Sequence, residues 1–207
     1  YMIKALMNTG NRMSLKNKYV ADKHSVGGVA GNRTTPIVVS ICASAGLIVP
    51  KTSSRAITSA AGTADVMETV ARVDFDIKEL KKILKKTGAF IVWGGGFGIV
   101  PADAKLIRVE KNLGIDPKSQ LLASIMSKKF AVGSRYILID IPYGHGAKIE
   151  TRSKAHKLER EFKSIGKYFH RKLEVVLTNG SEPIGNGIGP VLEMIDIIKI
   201  LDPKQKG

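Results

Sequence analysis

Two loops in this 207-residue chain carry side chains that could grip an oxyanion. The first is DKHSVGGVAGNRTTP, from Asp22 to Pro36. It offers Lys23, Ser25, Gly27, Gly28, Gly31, Thr34 and Thr35. Glycine leaves no Cβ between a backbone N–H and an anion, and hydroxyls donate to it. Lys23 adds a full charge. Thr35 before Pro36 has the form of an N-cap and first-turn pair, so the N–H groups of a helix start would face the same anion. A turn without a ligand is the plain alternative for any glycine loop. The second loop, SSRAITSAAGTAD, places hydroxyls at Ser53, Ser54, Thr58, Ser59 and Thr63. That is more than a helix cap uses, although a close-packed capped turn would also need some of them.

Single residues add to these loops. Arg55 has the forked donor that suits phosphate or carboxylate, and Asp65 and Glu68 are equally placed to pair with it. Asp116 sits in a break between two helical runs; a carboxylate there is a general acid if burial raises its pKa, or a helix cap. Ser124 and Lys128 lie four apart and share a helix face. Lys148 follows an apolar strand and the loop GHGA, as a site cation or a solvent lysine. His24 adjoins Lys23, which would lower its pKa, but no partner is placed for a catalytic dyad. Trp93 ends a strand and reads as core.

The elements that would position these groups alternate. Helix is expected over 2–9, 36–45, 63–70, 77–87, 101–113, 117–130, 151–169 and 191–201. Strands are expected over 17–22, 47–50, 89–93, 134–144 and 173–180. Strand–helix alternation predicts an α/β fold: a largely parallel sheet flanked by helices, with polar glycine loops at the carboxyl ends of the strands. The helical pair 101–130 breaks the alternation and is expected to pack away from the sheet, with the first helix.

Composition narrows the class. The hydrophobic share of 43% supports a real core, and no apolar run approaches a membrane span. Net charge is +15, which draws polyanions in general. The lysines and arginines of 78–86 and 153–172 are spread at helical spacing, as on solvated faces, and aromatics are 6%. Nucleic-acid binding is therefore the weaker reading, and a small anionic substrate needs only a local share of this field. The single cysteine, Cys42, fits a reducing, cytoplasmic setting. No Cys or His pair has metal-ligand spacing, so neither a metal nor a redox cofactor is expected. The chain does not begin with Met, and a fragment of a longer chain is expected.

Four collinear stretches together resemble the thymidine phosphorylase family of nucleoside phosphorylases: DKHSVGGV (22–29), SSRAITSAAGTADVMETV (53–70), ASIMSKK (123–129) and ILIDIPYGHGAK (137–148). The wording of the first two is similar to the archaeal AMP phosphorylase branch. The resemblance implies a large α/β domain and a small helical domain with the site in the cleft between. It divides this chain into 1–14 (end of the helical domain), 15–100 (first part of the α/β domain), 101–130 (helical-domain segment) and 131–207 (second part). It implies phosphate ligands at Lys23, Ser25, Ser53 and Thr63, with Thr34 as a further hydroxyl. Nucleotide positions carry over to Gly28, Ser54, Arg55, Ala56, Ile57, Thr58, Ser59, Thr63, Ser124 and Lys148, and the proton donor to Asp116. Ser124 and Lys128 match positions that hold the base in pyrimidine-specific members, but those members' arginine falls on Val109 and their base-side histidine on Ser59. The implied reaction is phosphorolysis of AMP to adenine and ribose 1,5-bisphosphate, with inorganic phosphate as co-substrate and no cofactor, in a homo-oligomer. A pyrimidine-nucleoside phosphorylase is the nearest alternative, and a basic nucleic-acid-binding module the distant one.

Overall fold

A computed structural model describes residues 1–13, 15–27, 33–56, 61–115 and 117–205. In chain order the elements are α1 (Met2–Met7), β1 (Ala21–Ser25), α2 (Thr34–Ser44), β2 (Val49–Ser53), α3 (Thr63–Glu68), α4 (Ile77–Thr87), β3 (Ala89–Trp93), α5 (Pro101–Leu113), α6 (Lys118–Ala131), β4 (Tyr136–Tyr143), α7 (Arg152–Tyr168), β5 (Lys172–Asn179) and α8 (Pro190–Leu201). Every strand pair is parallel. β1, β4 and β5 form one sheet in the order β1-β4-β5, and β2 pairs with β3 in a second. An isolated parallel bridge, Val20 to Ile48, joins the two. The Ala21 N–H donates to the Ile48 carbonyl at 2.8 Å, and the Ile48 N–H to the Tyr19 carbonyl at 2.9 Å. The strands thus run β3-β2-β1-β4-β5, with all carboxyl ends at one edge.

Local chemistry explains the sharpest boundaries. Asp76 and Glu79 form a reciprocal capping box at the start of α4, with bonds of 2.8 and 2.9 Å. Gly88 closes that helix at φ 75°, a left-handed conformation that suits glycine. Ile137, Ile139 and Ile141 alternate along β4 and share a buried cluster with Leu158 and Phe162 of α7 and Met126 and Phe130 of α6. α6 therefore packs on the sheet as well as beside α1, which corrects the expectation that the 101–130 pair turns wholly away from it.

β1 and β2 begin and end later than the hydrophobic pattern predicts. The expected strand 17–22 is Ala21–Ser25, and 47–50 is Val49–Ser53. Lys23 and Lys51 fall outside the expected strands, yet both are buried in the observed ones, as is Asp22. Ion pairing and hydroxyl contacts from other elements make the burial of Asp22 and Lys23 tolerable, and no local pattern shows those partners.

Candidate active site

In parallel α/β sheets a crevice opens at the carboxyl edge where the strand order reverses. Here that point is β1, flanked by β2 on one side and β4 on the other. Ser25 and Asp140 are register partners across β1 and β4, and the Ser25 hydroxyl donates to Asp140 Oδ2 at 2.8 Å. Thr178 of β5 donates to the other oxygen of Asp140 at 2.6 Å.

Lys23, only 5% exposed, directs its ammonium to the first turn of α2. It donates to the hydroxyls of Thr34 at 3.0 Å and Thr35 at 3.2 Å. The helix begins at Thr34 with Arg33 as its N-cap, so Thr35 is not the cap that its sequence suggests. Pro36 is tolerated because first-turn N–H groups have no intrahelical acceptor. Burial lowers the Lys23 pKa to about 8; Asp140 and Asp22 resist that shift, and Lys129 adds to it. Behind Lys23, Lys129 of α6 pairs with Asp22 at 2.7 Å, with both side chains buried. Burial, then Lys129, Lys51 and Lys23 in turn, lower the pKa of His24 well below its ordinary value, which leaves the ring neutral. Lys51 donates to the Thr52 carbonyl, and burial holds its pKa well below the lysine range.

β2 delivers Ser53 and Ser54 to the same edge. α3 returns against them: the Ala64 N–H donates to the Ser54 carbonyl at 3.3 Å. Gly62 must be glycine, since a Cβ there would lie 2.4 Å from the Ser54 carbonyl oxygen. Thr63 is the buried first residue of α3. Asp65 holds the loop, accepting from the Ala56 N–H at 2.8 Å and the Gly62 N–H at 2.9 Å. Burial works to raise the Asp65 pKa, but those two N–H groups and Arg55 outweigh it and the net shift is down. Arg55 itself pairs with Asp65 at 3.1 Å and with Glu68 at 2.8 Å, and stacks over Trp93 at 5.1 Å. Its fork is occupied by two acids of α3, the helix that follows its own loop.

On α6, Ser124 and Lys128 do share a face, and Asp103 of α5 gathers them. Ser124 donates to Asp103 at 2.9 Å, and Lys128 pairs with the same oxygen at 2.5 Å. Gln120 satisfies the second oxygen at 3.0 Å, so Asp103 is fully buried yet well partnered. Lys148 is exposed on a short loop closed by the Gly144 N–H to the Ile149 carbonyl at 3.0 Å.

Lys23, Ser25, Ser53 and Thr63 therefore stand at one edge of the sheet, with Thr34 in contact with Lys23. Gly28, Ile57, Thr58, Ser59 and Asp116 lie outside the described residues. Sequence reasoning did not single out Asp22, Asp103, Lys129 or Asp140. For Asp140 the signal was a charge inside an otherwise apolar run, ILIDI. Among the described residues no cluster of His, Cys, Asp and Glu could hold a metal ion, and no helix is long and apolar enough to cross a membrane.

The profile of the "Glycosyl transferase family, a/b domain" matches residues 17–158, which span β1 through the first part of α7. The chain belongs to this glycosyl transferase family. Its relatives within the family include an AMP phosphorylase of Natronomonas pharaonis, 49% identical over 197 residues, which are 95% of this chain and 39% of that protein. A Cupriavidus necator protein provisionally named thymidine phosphorylase 1 is 50% identical over 97% of this chain and 38% of its own length. The chain thus spans about 39% of the first of these curated relatives. The crystal structure of anthranilate phosphoribosyltransferase from Thermus thermophilus covers 99% of this chain, which in turn covers 68% of it, with a TM-score of 0.74 and 14% identity. That likeness supports the glycosyl transferase fold alone.

Proposed function

We propose that this chain is the phosphate-binding part of an AMP phosphorylase, which converts AMP and phosphate to adenine and ribose 1,5-bisphosphate. The observation that carries the reading is Lys23. A buried ammonium held by two threonine hydroxyls, at a helix start and beside Ser25, is built to take an oxyanion. The substrate is inferred from AMP phosphorylases that are 49% and 50% identical to this chain over 95% of its length.

In this reading the free phosphate sits among Lys23, Ser25, Thr34, Ser53 and Thr63. An oxygen of that phosphate forms a bond to C1′ while the bond from C1′ to the base nitrogen breaks. The bonding pair leaves with the base, and Asp116 donates the proton that neutralises it. Lys23 and the hydroxyls orient the nucleophile and hold its charge in place. Ser54, Thr58, Ser59, Ser124 and Lys148, with the loop backbone from Gly28 and from Arg55 to Ile57, would hold the nucleotide. The proposed substrates are small molecules rather than nucleic acid, no cofactor takes part, and the complete protein works as a homo-oligomer.

The test is adenine release by the complete protein from AMP with phosphate, compared with adenosine, thymidine and uridine. Phosphate-dependent release from AMP, and little from the others, supports the reading. Equal turnover of thymidine or uridine would transfer it to a pyrimidine-nucleoside phosphorylase. Asp116→Asn should cut turnover by about 10²- to 10⁴-fold with KM mostly kept; unchanged turnover would reduce Asp116 to a helix cap.

A further inference from the structure

The opposite edge of the sheet holds a second basic concavity that the proposed reaction does not use. It lies at the amino ends of β4 and β5, about 23 Å along β4 from the carboxyl edge. The cavity, of about 600 Å³, is lined by Arg12, Arg135, His170, Arg171 and Lys172, and by no carboxylate among the described residues. The salt bridges among the described residues use none of these five. Arg171 lies over the Phe130 ring at 5.8 Å, and its Nε is buried with no hydrogen-bond partner. His170 takes a left-handed φ of 53°, in a turn fixed by the Arg171 N–H on the Gly166 carbonyl at 2.8 Å.

Cations at this edge have an ordinary explanation. Helices in this fold run antiparallel to the strands, so α1, α6 and α7 all end here and present carbonyl groups. Three helix ends amount to roughly −1.5 charges, against +4 from Arg12, Arg135, Arg171 and Lys172. Dipole compensation accounts for less than half of the positive charge. The surplus, gathered around one cavity, suits a multiply charged anion.

We propose that this cavity is a binding site for a small polyphosphate-bearing molecule, remote from the carboxyl edge. The arginine forks match phosphate oxygens, and the half-buried Tyr136 ring on the lining can meet an apolar or aromatic group. The experiment is calorimetric titration of the complete protein at low salt with inorganic tripolyphosphate and, separately, with ATP. It is run on the unchanged protein, on Lys23→Gln and on Arg135→Gln/Arg171→Gln. One binding event should persist in Lys23→Gln, weaken by at least about tenfold in the double variant and fade with added salt. If loss of Arg171 prevents folding, Arg135→Gln/Lys172→Gln, both on exposed residues, makes the same test. Equal affinities assign the site to phosphates alone, tighter ATP adds the base to the Tyr136 ring, and both support the proposal. No binding in Lys23→Gln, binding unchanged in the arginine variants, or binding of single-stranded RNA but of neither small anion overturns it.

Discussion

Lys23 lies within β1 and Arg55 just beyond the neighbouring β2, yet their surroundings put them in opposite states. The ammonium of Lys23 meets the hydroxyls of Thr34 and Thr35 and is buried deeply enough to lower its pKa to about 8. The guanidinium of Arg55 meets Asp65 and Glu68, which stand three apart on one face of α3. Its hydrogen bonds to Glu68, working against burial, push its pKa up. A cation whose partners are hydroxyls can still be neutralised by an incoming anion. A cation already paired with two carboxylates closes its own loop instead. That both are cations near the carboxyl end of a strand does not separate these cases; the neighbours do.

The largest effect is expected beneath Lys23. Asp22→Asn leaves Lys129 buried without its partner and should cost about 3–5 kcal/mol of folding stability, read by denaturant unfolding. A loss below about 1 kcal/mol would mean that the pair is not what allows β1 to bury its polar residues. Lys23→Gln should leave the fold intact and cut kcat/KM for phosphate by about 10²- to 10³-fold, in steady-state assays of the complete protein. Retained activity would remove the contrast with Arg55.

A pH series sharpens the contrast further. The folded pKa of Lys23 is depressed, so phosphate affinity should fall by about tenfold per pH unit above pH 8 as the ammonium is lost. Its contribution to stability has the opposite sign. Between pH 8 and 10.5 the unfolded chain holds a proton that the folded chain has released, so stability from this group rises with pH. Rising KM with no matching loss in Tm is the expected pattern, and parallel loss of both would point to general unfolding. The smallest effect belongs to Arg55→Gln, which should lower Tm by no more than about 4 °C and leave KM for phosphate within about threefold, because this partly exposed pair is screened. A large rise in KM would show that the fork releases its acids to hold substrate.

The sequence was most legible where one element satisfies itself. α4 was readable to the residue, because Asp76, Glu79 and Gly88 carry its caps, and β3 was equally clear from its apolar run between Gly88 and Gly94. β1 and β2 were not, because Lys23 and Lys51 look like loop, and the partners of Asp22 and Lys23 come from α6 and α2. The hydroxyl-rich loops were visible as candidates, whereas Asp103, Asp140 and Lys129 were hidden among residues read as framework.

The amino-acid order alone determined the alternation of strand and helix, the glycine-bearing loops, and the residue types that could meet an anion, since these depend on neighbours along the chain. Only the tertiary structure decided which cation kept hydroxyls for company and which was taken by carboxylates, and which polar residues could lie inside a strand. Those outcomes depend on groups brought together from distant segments, and burial makes the identity of each partner count far more than it would in water.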